Sequence, residues 1–193
     1  MLRKLWRLLL TLLLLVPPIA WFLYKPVRVL APQLLGLVCV KETVCVDDVA
    51  RAAEAAELYD GALRFILANV GDLQKPPRVV FCATDSCYSA FGLAKPTAHT
   101  TWVGIIVGPR GWEPHYVGHE MIHHLQIEQL GLLKLGPIRR WRAPEWFIEG
   151  MAYYLSDDPR GMLEEPYRTY RRRFQEWYRS VDHQRLWELA KEL

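Results

Sequence analysis

The sequence predicts an α+β fold: a small mixed sheet packed on one site-bearing helix, a mainly helical C-terminal part, and a transmembrane helix ahead of both. Three observations lead there. An uncharged apolar stretch, Leu8 to Tyr24, follows Arg3, Lys4 and Arg7. Two β-branched runs, Arg78 to Cys82 and Thr100 to Val107, are bounded by Pro76-Pro77 and by Gly108-Pro109. Apolar residues recur at helical spacing from Asp47 to Val70, Trp112 to Leu130, Arg142 to Leu155 and residues 162–180.

At the amino terminus, Leu8 to Tyr24 is at the lower end of what spans a bilayer, and Trp6, Trp21 and Tyr24 suit its interfaces. Pro17-Pro18 would kink it, so the alternative is a cleaved signal peptide with Leu8 to Val16 as its apolar region and secretion as the result. Its cleavage sites, Pro18-Ile19-Ala20 and Val29-Leu30-Ala31, are poor. The basic residues ahead of the span predict a cytoplasmic tail and an extracytoplasmic remainder, periplasmic or extracellular. The expected organisation is a tail and anchor over 1–24, a proline-containing stalk over 25–38, and one domain over 39–193. Cys39, Cys45, Cys82 and Cys87 form an even set whose spacing does not match a zinc ribbon. Of the three pairings, Cys39–Cys45 with Cys82–Cys87 is simplest, and disulfides imply an oxidising compartment.

Asp47-Asp48 can cap a helix that buries Leu63, Ile66 and Leu67 and stops at Gly71. The runs 78–82 and 100–107 follow as strands. The helix from Trp112 ends at Gly131 and carries His119-Glu120-Met121-Ile122-His123. Histidines at i and i+4 share a helix face, so their ring nitrogens can converge on one zinc ion, and Glu120 can take a proton from a water on that ion. His115 and His123 stand two turns apart, about 11–12 Å, and cannot share an ion, which leaves His115 a structural or rim role. His124 points about 100° away from His123, and His99 falls in a loop.

The next helix opens near Pro144 and places Glu149 among Trp146, Phe147, Met151 and Leu155. An unpaired carboxylate is costly in such surroundings, and a metal ion or a nearby arginine would remove the cost. Gly150 beside it is unfavourable in a helix unless close packing needs it, here against the motif helix.

Together, His119-Glu120-x-x-His123 and Trp146-x-x-Glu149-Gly150-x-Ala152-x-Tyr154 resemble the gluzincin metallopeptidases, over roughly a third of the chain (98–156). The resemblance implies a zincin-like domain in which His119, His123 and Glu149 bind one zinc ion. It also implies Glu120 as general base and then acid, with the strand before the motif helix forming the sheet edge along the cleft. An extended peptide could pair with that edge. Where thermolysin-like members carry an aspartate that orients a zinc histidine, this sequence has Tyr153, and Glu145 is a substitute candidate. Tyr153, Tyr154, Tyr167 and Tyr170 are candidate donors to the developing oxyanion. The signature that binds a substrate amino terminus in aminopeptidases has no counterpart, so aminopeptidase activity is not implied.

The last helix bears Arg168, Arg171, Arg172, Arg173 and Arg179, with Arg139, Arg140 and Arg142 upstream. A net charge of +3 and an extracytoplasmic address disfavour nucleic acid, which leaves a solvated face or contact with lipid headgroups near the anchor. The function expected is a membrane-anchored zinc peptidase acting on envelope or extracytoplasmic peptides or proteins. The alternative is a catalytically weak zinc-binding or protein-interaction module on the same fold.

Overall fold

A computed structural model of the chain describes residues 2–95, 97–130, 143–160 and 163–193. Gly131, Arg139, Arg140 and Arg142 fall outside the described residues. The strands are β1 (Val38–Lys41), β2 (Val44–Val46), β3 (Val79–Phe81), β4 (Ala98–Thr101) and β5 (Gly104–Val107). They form one sheet in the order β1-β2-β3-β5-β4. The inner strands β2, β3 and β5 run parallel, while the edges β1 and β4 are antiparallel to their neighbours. Side chains alternate across the sheet. Val44, Val46, Val79, Phe81, Ile105 and Val107 face the larger core, and Cys45, Val80 and Ile106 face a smaller one with Val29, Tyr88 and Phe91. Burial on both faces explains why β3 and β5 read as unbroken apolar runs.

The α-helices are α1 (Leu2–Leu23), α2 (Ala52–Asn69), α3 (Asp85–Ala90), α4 (Pro114–Gln129), α5 (Glu145–Leu155), α6 (Tyr167–Ser180) and α7 (Leu186–Ala190). Asp48 caps a short 3-10 turn ahead of α2, accepting from the Ala50 amide at 2.9 Å. Its neighbour Asp47 instead ties the end of β3, accepting from the Ala83 amide and the Thr84 hydroxyl. α4 is wedged between the sheet, α2 and α5, with Val117, Met121, Ile122 and Leu125 wholly buried. That wedge makes the site-bearing helix the centre of the molecule.

Several expectations change. Among the described residues no helix is long and apolar enough to cross a membrane, which corrects the transmembrane helix and the single-pass anchoring drawn from it. Arg3, Lys4 and Arg7 occupy the first turns of α1, and the remainder, interrupted by Pro17 and Pro18, is only about 24 Å long against a hydrocarbon core of about 30 Å. The segment expected as a stalk is folded onto the sheet: Lys25–Leu30 and Pro32–Leu35 form 3-10 helices, and Val29 is wholly buried. Arg28 and Arg78 fasten it by donating to the carbonyls of Ala90 and Leu30, both at 2.6 Å.

The run Thr100 to Val107 is a hairpin rather than one strand, with Thr101 opposite Gly104. Thr101 Oγ1 donates to the Gly104 carbonyl at 2.8 Å. Gly104 has φ +148°, and a Cβ there would lie 2.5 Å from the Arg78 carbonyl oxygen, so only glycine fits. Gly150 serves α6 rather than α4, since a Cβ would lie 2.3 Å from the Tyr170 carbonyl oxygen and 2.8 Å from Phe174 Cβ. Gly150→Ala is therefore expected to destabilise the fold by about 1–3 kcal/mol through overpacking, despite the gain of about 1 kcal/mol in helix propensity. Denaturant titration measures it, and an unchanged or raised midpoint would refute the close contact.

Both local disulfides are present, Cys39–Cys45 and Cys82–Cys87. Cys39 and Cys45 are direct partners across β1 and β2, and Cys87 sits in the first turn of α3. Such bonds belong to oxidising compartments.

Candidate metal and catalytic site

α4 delivers His119, Glu120 and His123 from adjacent turns, and α5 brings Glu149 across from the facing side. His119 Nε2 and His123 Nε2 are 3.1 Å apart. Glu149 Oε2 lies 3.8 Å from the first ring nitrogen and Oε1 lies 3.7 Å from the second. Around an ion with tetrahedral bonds of about 2.0–2.2 Å, neighbouring donors stand about 3.3–3.6 Å apart. The donor atoms of the three residues all lie within 4.8 Å of one another, so the group could hold a metal ion. Burial, aided by the charges of His123 and Arg160, holds His119 well below the ordinary histidine value. The ring is then neutral near pH 7, and neutral imidazole is the form that ligates.

Glu120 is buried beside this group, and the β4 residue Thr100 holds it. Thr100 Oγ1 lies 2.7 Å from Glu120 Oε2 and 2.7 Å from the Glu120 carbonyl oxygen. The hydroxyl can donate to the carboxylate. It can equally accept from the protonated acid while donating to the backbone carbonyl, so both protonation states keep a partner. Burial pushes the Glu120 carboxyl above its usual range, against the pull of His123 and the Thr100 hydrogen bond.

These groups open onto a cleft of about 370 Å³. One wall is the β4 edge (Ala98, His99 and Thr100), and Tyr88, Lys95 and Tyr167 contribute to the others. Of the tyrosines singled out from the sequence, Tyr167 lines the cleft. Tyr153 stands edge-on to the His119 ring at 4.5 Å, and its ring centroid is 5.2 Å from that of Tyr167, tilted to it. Burial first, then the Glu149 charge, pushes the Tyr153 phenol up to about 12, so it stays protonated. Arg160, paired with the buried Asp158, lies over Tyr153 and Tyr116 at 5.6 and 5.0 Å and props both rings. Tyr154 packs away from the site on Phe174 and Tyr178. Glu145 accepts from the Tyr170 hydroxyl at 3.1 Å, which engages both at the start of α5.

His99 faces the cleft, His115 lies tilted against Tyr116 with Nε2 buried, and His124 bonds the Lys75 carbonyl. Sequence reasoning missed Thr100 as a partner of Glu120, because that contact joins a strand to a helix twenty residues on. It missed Gln126 too, although the spacing of three from His123 on one helix was a usable signal.

No protein-family model, no curated protein and no solved structure matches this chain.

Proposed function

We propose that this chain is a zinc-dependent peptidase of gluzincin type, hydrolysing peptide bonds in peptides or proteins with Glu120 as general base. The observation that carries the reading is a buried, Thr100-bound carboxylate set immediately beside a His/His/Glu donor group at the floor of a cleft. A site that merely stored an ion would gain nothing from a fourth group that is expensive to bury and is not among the ligands. Two imidazoles and one carboxylate make the three-donor set that suits catalytic zinc and leaves a position for substrate or water.

His119, His123 and Glu149 would hold the zinc. When bound, it supplies Lewis acidity, polarising a carbonyl and lowering the pKa of water to near neutrality. Glu120 takes a proton from the attacking water as its oxygen bonds to the scissile carbon. The C–N bond then breaks, and Glu120 returns that proton to the leaving amine nitrogen. Thr100 holds the Glu120 carboxyl in both states. Tyr167, which lines the cleft, would donate to the carbonyl oxygen, and the β4 edge would pair with an extended peptide.

Zinc content of the purified protein and hydrolysis of a mixed peptide library, before and after chelation, test the reading together. About one zinc per chain and activity that chelation removes and zinc restores are expected. A chain that binds no metal, or whose hydrolysis survives chelation, would overturn it. Thr100→Val removes one hydrogen bond to a charged group, worth about 1.5–3 kcal/mol, so kcat is expected to fall at least about 10-fold while Thr100→Ser retains most activity. Equal rates for the valine and serine variants would show that the hydroxyl has no part.

A further inference from the structure

We propose that Gln126 is a positioning residue that fixes the tautomer of His123 and ties it to the carbonyl next to Glu149, so that one side-chain amide sets the geometry of two metal-binding residues on separate helices. The inference rests on the metal-site reading above.

Gln126 is 3% exposed and bridges α4 and α5. Its Nε2 donates to the Ile148 carbonyl at 2.9 Å. Its Oε1 lies 2.9 Å from His123 Nδ1. A backbone carbonyl can only accept, so the nitrogen of the amide must be the atom that faces Ile148. Oε1 is thereby the atom turned to His123, and an amide oxygen can also only accept. The proton of that contact must come from His123 Nδ1–H. Neutral imidazole carries one proton, so Nε2 is left with its lone pair, and Nε2 is the atom that lies toward His119 and Glu149.

The Ile148 carbonyl thus dictates, through two hydrogen bonds, which nitrogen of His123 can bind a metal. Ile148 is also the residue before Glu149, so the same bond holds the α5 backbone at the carboxylate that must meet the histidines. Outer partners of this kind orient a ligand and raise its basicity. Glu145, the sequence candidate for such a role, is occupied with Tyr170.

The test uses the full chain labelled with ¹⁵N-histidine, with Gln126→Met, which matches the volume without an amide, and Gln126→Glu, which keeps an acceptor for His123 but sets a second acceptor against Ile148. In wild type, with and without zinc, nitrogen NMR is expected to show the His123 proton on Nδ1. In Gln126→Met the zinc-free ring should lose that preference, and zinc affinity by chelator competition should fall about 10–100-fold. Gln126→Glu should keep the Nδ1 proton and still bind zinc more weakly than wild type. A wild-type proton on Nε2, or wild-type zinc affinity in Gln126→Met, would overturn the proposal. If wild type bound no zinc, the peptidase reading would fail, whereas the tautomer of the zinc-free wild type would still decide the role of Gln126.

Discussion

Replacing Glu120 with glutamine is expected to lower kcat by about 10²–10⁴-fold while leaving zinc content at the wild-type level. The amide matches the carboxylate in volume, and its NH2 can donate to Thr100 Oγ1 while that hydroxyl donates to the backbone carbonyl of residue 120, so both contacts can persist. Its oxygen, however, is far too weak a base to take a proton from water, and nothing else among the described residues holds a carboxyl in that place. Glu149 is committed to the donor group. The substitution also removes a buried ionisable group whose charged form burial disfavours. Thermal stability should therefore hold or rise, which separates loss of chemistry from loss of fold. Undiminished hydrolysis at full zinc occupancy would dismiss Glu120 as the base.

His119→Ala is expected to reduce zinc affinity by more than the roughly 10–100-fold that loss of an outer partner costs, because it removes a donor outright. An ion that binds only the folded chain stabilises it by about 4 kcal/mol at a thousandfold excess over Kd. Wild type should therefore melt at a higher temperature with zinc than without, and His119→Ala should show almost no such difference. The zinc-free comparison isolates the packing loss, since removal of the ring leaves space beside Tyr153 and His123. If zinc shifted the melting of His119→Ala as much as that of wild type, His119 would be struck from the donor set.

The features of the site that could be read from the sequence are local. His119 and His123 converge because four residues of helix bring side chains to one face, and that geometry needs no knowledge of the rest of the fold. Glu149 could be singled out because an acidic residue amid Trp146, Phe147 and Met151 demands a partner. Both disulfides close short loops, and their pairing was the simplest one for that reason. The errors come from contacts made at a distance. The hairpin at Thr101–Gly104 hides inside a β-branched run because its need for glycine arises from Arg78, just ahead of β3. Gly150 was assigned to the wrong neighbour for the same reason. On α6, Arg168, Arg172, Arg173 and Arg179 are exposed as a solvated face requires, while Arg171 bonds the Asp158 carbonyl.

Hydropathy read along the chain likewise overstated the amino-terminal helix, since it weighs residues without asking how much helix remains between Arg7 and Pro17-Pro18. By itself, the sequence determined the α+β class, the local disulfides and the residues of a His/His/Glu donor group. The class, the disulfides and the two histidines follow from composition or short spacing, whereas Glu149 joins them through its apolar setting and the gluzincin resemblance. Only the tertiary structure decided that α5 meets α4 with Glu149 at the two ring nitrogens, that Thr100 holds Glu120, and that Gln126 joins His123 to Ile148. Those contacts lie between elements, where the packing of buried surfaces sets the distances and no sequence period records them.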